Sequence, residues 1–122
     1  MKVGITSNGE NLDSDIDQRF GRCKYFIIVD TETMDFEALS NENMMASGGA
    51  GIQAAQTIAN KGVEAVITGN IGPNAFQTLA AAGIKIYTDA SGKVIDIINK
   101  CKKGELNETK QPNVGSHSGI GR

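Results

Sequence analysis

Arg19-Phe20-Gly21-Arg22-Cys23 sets two guanidinium groups and a thiol within one short run. Guanidinium is a multidentate donor to anions, and nearby cations favour the thiolate that ligates iron or copper. On that reading Cys23 is a metal ligand, and Arg19 and Arg22 clamp an anionic cluster or oxoanion. A plainer reading stands beside it. Free cysteines are commonly buried for packing, and the arginines have Asp13, Asp15 and Asp17 nearby as partners.

Two glycine-rich turns form the second group of candidates, Ser47-Gly48-Gly49-Ala50-Gly51 and Thr68-Gly69-Asn70-Ile71-Gly72-Pro73-Asn74. Each opens a helical pattern. A helix start carries unpaired N–H groups and a partial positive charge. Gly48, Gly49 and Gly51, together with Gly69, Asn70, Gly72 and Asn74, could therefore seat an anion. The same glycines could instead let helices pack closely on strands. Gly-Gly-Ala-Gly lacks the Gly-Lys-Ser/Thr of a phosphate loop and is not a full dinucleotide fingerprint, so no nucleotide is expected.

The remaining chemistry-bearing residues are weaker. Asp13, Asp15 and Asp17 alternate as in a calcium loop, but the required glycine and closing glutamate are missing. They read as a solvated acidic loop. His117 is the single histidine and lies in a glycine- and serine-rich stretch, where it could serve only as a transient metal ligand. Met44 and Met45 could offer thioether contacts to a cluster or cover an apolar edge. Cys101 falls on the apolar stripe of a helix and reads as core. The strand 3–7 carries no carboxylate, whereas a magnesium nuclease needs carboxylates on the sheet. No Ser-His-Asp set is visible, and the reading is a binding protein, not an enzyme.

These residues need elements to position them. Alternation and β-branched content predict a strand at 2–7 and a hairpin of strands 24–30 and 35–41. Apolar spacing predicts helices at 51–60, 73–82 and 91–103, the last capped by Ser91. Short buried strands at 63–67 and 84–88 follow the first two helices. Segments 59–68 and 80–88 resemble each other and read as two helix–glycine–strand units, with Gly62 where a left-handed cap is expected and Gly83 ending the second helix. The sum is an α/β domain with a five-stranded mixed sheet, one strand antiparallel and helices on both faces. Helix starts at one sheet edge would share a crevice, the usual ligand site of open α/β sheets.

At 122 residues the chain is one domain, able to bury about two-thirds of its unfolded surface. A 39% hydrophobic and 5% aromatic content describes an aliphatic core, and a net charge of −2 argues against a nucleic-acid partner. Two cysteines make neither a disulfide scaffold nor a zinc spacing. The strand pattern begins at once, without a signal peptide, and no apolar run approaches the roughly 18 residues of a membrane span. The expectation is a cytoplasmic monomer with reduced thiols and no membrane partner. Residues 107–122 are polar and read as a flexible tail that cannot bury enough surface to order itself.

Three motifs occur in register: Arg19-Phe20-Gly21-Arg22-Cys23-x-Tyr25-Phe26, Gly48-Gly49-Ala50-Gly51, and Gly69-Asn70-Ile71-Gly72-Pro73-Asn74-Ala75-Phe76. Over residues 1–106 the chain resembles the dinitrogenase iron–molybdenum cofactor biosynthesis family, the NifX-like domain also found at the carboxyl end of NifB. The resemblance implies a ribonuclease H-like three-layer fold with sheet order 3-2-1-4-5. It also implies a non-enzymatic carrier or storage role for an iron–sulfur or molybdenum-containing cluster, with a cluster donor or acceptor protein as partner. The three motifs, Phe20 among them, would be the cluster-binding residues. Lys24 stands where relatives often have proline, and position 23 is often alanine, so the resemblance alone does not make Cys23 a ligand. The reading of a different class is a module for a phosphate-bearing small molecule or nucleotide.

Overall fold

Val3, Ile5 and Thr6 are wholly buried in β1 (Lys2–Ser7), which therefore has a covered face on each side. It is the middle strand of a five-stranded sheet in the order β3-β2-β1-β4-β5. The computed structural model describes residues 1–42 and 49–114 of the chain.

β2 (Tyr25–Asp30) lies antiparallel to β1 and to β3 (Phe36–Ser40). β4 (Ala65–Ile67) and β5 (Lys85–Tyr87) add in parallel on the other side. β2 is thus the one strand that runs against the rest, as expected. Successive strand residues point to opposite faces, and β2 shows it. Phe26 and Ile28 join Ile58, Val66, Leu79 and Ile86 under α1 (Ala50–Ala59) and α2 (Pro73–Ala81). Ile27 and Val29 join Val3, Ile5, Ile67, Val94 and Ile98 under α3 (Val94–Lys102).

Gly62 and Gly83 take positive φ, 74° and 77°, just past α1 and α2. The two similar sequence segments are thus the same helix-to-strand turn made twice, with glycine where a side chain would be strained. Each turn feeds a strand of only three residues, shorter than the sequence suggested.

Two expectations change. Ser91 does not cap α3, which starts at Val94 behind an extended Lys93. The orphan N–H groups of Val94 and Ile95 donate instead to the carbonyls of Ser14 and Leu12, at 2.9 and 2.8 Å. This partnership also ties down one end of the acidic loop, whose Asp13 and Asp15 are solvent-exposed as expected while Asp17 is buried. Ile16 N–H donates to Gly92 O at 2.8 Å, Asp15 pairs with Lys93, and Ile16 and Asp17 are each 5% exposed.

The chain after α3 returns along β5. Thr109 N–H donates to Ile86 O at 2.7 Å, and the hydroxyls of Thr88 and Thr109 lie 2.7 Å apart. The stretch read as a free tail from residue 107 therefore begins as a segment laid on the sheet edge. Met44, Met45, Gly48 and His117 lie outside the described residues. Among the described residues, no helix is long and apolar enough to cross a membrane.

Candidate functional site

The carboxyl ends of β1 and β4 meet at two buried threonines. Thr6 Oγ1 lies 2.9 Å from Thr68 Oγ1 and donates to Asp17 O at 2.7 Å. These bonds fold the segment after the acidic loop back over the end of the sheet. There Gln18, Arg19 and Phe20 run beside the second glycine turn. Asn70 N–H donates to Gln18 O at 2.6 Å, and Phe20 N–H donates to Asn70 O at 3.2 Å. Arg19 and Asn70 form a parallel bridge.

The glycines are required by this approach. A Cβ on Gly69 would stand 2.8 Å from Gln18 Cα, and one on Gly21 would stand 3.0 Å from both N and Cα of Gly51. A Cβ on Gly51 would in turn rest 3.4 Å from Ala75 Cβ, in the first turn of α2. The three motifs thus touch one another: the 19–23 segment lies between the starts of α1 and α2. Neither start has a side-chain cap, and each helix leads into a parallel strand, β4 or β5, so both N-terminal dipole ends lie at the same edge of the sheet.

Arg19, Arg22 and Asn74 are exposed around this meeting point, and Asn70 and Gly72 are half-buried within it. Arg19 pairs with Asp17 as the plainer reading had it, Nε to Oδ1 at 3.5 Å, yet its side chain stays 67% exposed. The buried Asp17 side chain also accepts Arg19 N–H at 3.0 Å. Phe20 is turned away from the surface. It is 2% exposed and packs on Phe26 with ring centroids 5.4 Å apart, so it anchors the segment from below.

Cys23 departs furthest from its expected role. Its thiol is fully buried, donates to Phe20 O at 3.3 Å and belongs to the core beneath α1 and α2. Burial, helped by the negative charge of Asp17 and opposed by the Asn41 hydrogen bond, pushes its pKa up to about 12. The two arginines nearby in sequence were expected to favour the thiolate, but neither is among the groups that act on it, and desolvation is the largest cause. Among the described residues, no group of three or more His, Cys, Asp or Glu side chains is placed to hold a metal ion. The donors on offer are guanidinium, amide and backbone N–H groups, which suit a whole anion and not a bare cation.

Sequence reasoning missed three amide side chains. Asn41 Nδ2 donates to the carbonyls of Gly21 and Cys23, at 3.2 and 2.9 Å. Gln18 Nε2 donates to Ala90 O at 3.0 Å. Asn113 Oδ1 accepts the Ile71 N–H at 2.8 Å, while its Nδ2 donates to Gly69 O and Asn70 Oδ1, at 3.1 and 3.2 Å. Each partner is remote in sequence, and no local spacing announces such a contact.

Residues 1–104 match the family model described as dinitrogenase iron-molybdenum cofactor. The chain belongs to this family. The apo form of the orange protein from Desulfovibrio gigas superposes on this chain with a TM-score of 0.90. That protein is 39% identical, with 93% of this chain and 96% of the other covered. A NifB-like protein from Thermotoga is 41% identical, with a TM-score of 0.77 and coverage of 88% and 91%. An uncharacterized protein of Methanocaldococcus jannaschii is 31% identical over 109 residues, 87% of this chain and 89% of that protein.

Proposed function

We propose that this domain is a non-enzymatic carrier that seats a metal–sulfur cluster, of iron–sulfur or molybdenum-containing type, in the crevice between the 19–23, 49–51 and 69–74 segments. The observation that carries this reading is the convergence of the three motifs at two helix starts. Gly21 lies against Gly51, Gly51 against Ala75, and Arg19 against Asn70. Such clusters are anions, and the crevice offers what anions need: helix dipoles, backbone N–H groups and exposed Arg19 and Arg22. Family membership supports the cluster class, and the Desulfovibrio gigas neighbour is described as an apo form.

The cluster is held as an intact anion, without a bond from the buried Cys23 thiol. Its inorganic sulfides accept hydrogen bonds from the protein, and a donor or acceptor protein exchanges it at the exposed rim. The Cys23 thiol, buried and held protonated, is a poor nucleophile as well as a poor ligand.

The test is an anaerobic titration of the purified chain with tetrathiomolybdate or a synthetic iron–sulfur cluster, followed by visible absorbance and gel filtration. Saturable binding at about one cluster per chain is expected. Binding of phosphate, ATP or NAD in place of either cluster would overturn the reading.

A further inference from the structure

We propose that residues 107–114 form a displaceable strap, latched by Asn113 on the turn that a ligand would take; this rests on the crevice reading above. The strap has a firm end and a weak end. At the firm end, Thr109 donates its N–H to Ile86 O at 2.7 Å, its hydroxyl accepts the Thr88 N–H at 3.1 Å, and Glu108 bridges to Tyr87. Beyond Thr109, the hydrogen bonds from residues 110–114 to the domain, among the described residues, are those of the single Asn113 side chain.

That side chain meets Ile71 N–H, Gly69 O and Asn70 Oδ1 together. All three groups belong to the turn that leads into α2. Ile71 is 1% exposed, so its N–H needs a partner when the crevice is empty, because an unmade buried hydrogen bond is costly. Asn113 supplies a neutral one. An anion accepts hydrogen bonds about twice as strongly as a neutral amide oxygen, so a charged ligand outcompetes it at the same donor. Asn113 itself is exposed, and water takes over its bonds once it is released. The empty site is thereby satisfied without being blocked, and loading lifts the latch while Thr109 keeps the strap attached.

The test is amide hydrogen exchange by NMR on the full chain and on Asn113→Ala, first without ligand and then with tetrathiomolybdate. Without ligand, Ile71 N–H exchanges through local opening, faster than the central strand amides of Val3 and Ile5. Asn113→Ala accelerates it by about tenfold, the factor carried by one lost hydrogen bond of ordinary strength. With tetrathiomolybdate, the Asn113 side-chain amide resonances move, and Asn113→Ala binds about tenfold more tightly. Ile71 exchange that tracks Val3 and Ile5, or that ignores Asn113→Ala, overturns the strap. So does a bound state in which the Asn113 amide is unmoved. If neither protein binds the probe while the exchange pattern holds, the cluster reading fails and the strap stands.

Discussion

The Cys23 thiol offers a sharp test, because its burial fixes a sign. With an ordinary value of 9.0 in the unfolded chain and about 12 in the fold, the native state keeps its proton where the unfolded state has lost it. The folded pKa is the raised one. Its contribution is therefore intact below about pH 9 and is lost as pH rises toward 12. Stability falls by about 1.36 kcal/mol for each pH unit in that window. The ceiling is about 4 kcal/mol across the window, and about 2 kcal/mol has gone by roughly pH 10.5. Cys23→Ala removes the titrating group and leaves a small cavity, costing about 1 kcal/mol at neutral pH. Urea denaturation of both proteins from pH 7 to pH 11, under reductant, should then show the variant less stable at pH 7. The curves should cross near pH 10, with the variant more stable above. The difference between the two proteins cancels lysine, tyrosine and Cys101 titration to first order. A difference that stays flat from pH 8 to pH 11 would refute the burial argument, because an accessible thiol of ordinary pKa gives no such window. The same variant should bind tetrathiomolybdate as wild type does.

Other consequences follow from the close approaches. Gly21→Ala and Gly69→Ala each drive a methyl group into backbone, Gly51 and Gln18 respectively. Each should lose about 1–3 kcal/mol in thermal or urea unfolding, the usual cost of overpacking, and should also weaken cluster binding. Gly49→Ala serves as their contrast, since among the described residues no atom beyond its chain neighbours lies within 4 Å of its added Cβ, and its φ of 72° opposes the change. Arg19→Ala should leave stability within about 0.5 kcal/mol, as expected for an exposed ion pair. It should weaken cluster affinity by roughly tenfold or more through loss of a charge-assisted contact, measured by anaerobic titration.

Much of the architecture was legible in the chain because it rests on local periodicity. The hairpin after Cys23, the two helix–glycine–strand units and the single antiparallel strand follow from alternation, β-branching and Gly62 and Gly83. The meeting of the three motifs was legible too, since parallel crossovers bring helix starts to one sheet edge. Contacts between remote segments were not. Ser91 has the right chemistry for a cap, but the carbonyls of Leu12 and Ser14 serve α3 from the far side of the chain. Cys23 sits close to two arginines in sequence, yet spacing along a chain says nothing about solvent. Its side chain turns into the core, where desolvation decides its protonation. Residues 107–109 look too polar to order themselves, and the backbone of β5 holds them from outside through Thr109.

The central claim is that one anionic metal–sulfur species sits where the three motifs meet. An amide-resolved NMR titration of the apo chain with tetrathiomolybdate, under anaerobic conditions, addresses it most directly. Saturable shifts confined to 19–23, 49–51 and 69–74, with Asn113 responding in step, are the predicted result. Absence of shifts at those segments, with phosphate compounds moving them instead, would contradict it and assign the glycine turns to another anion.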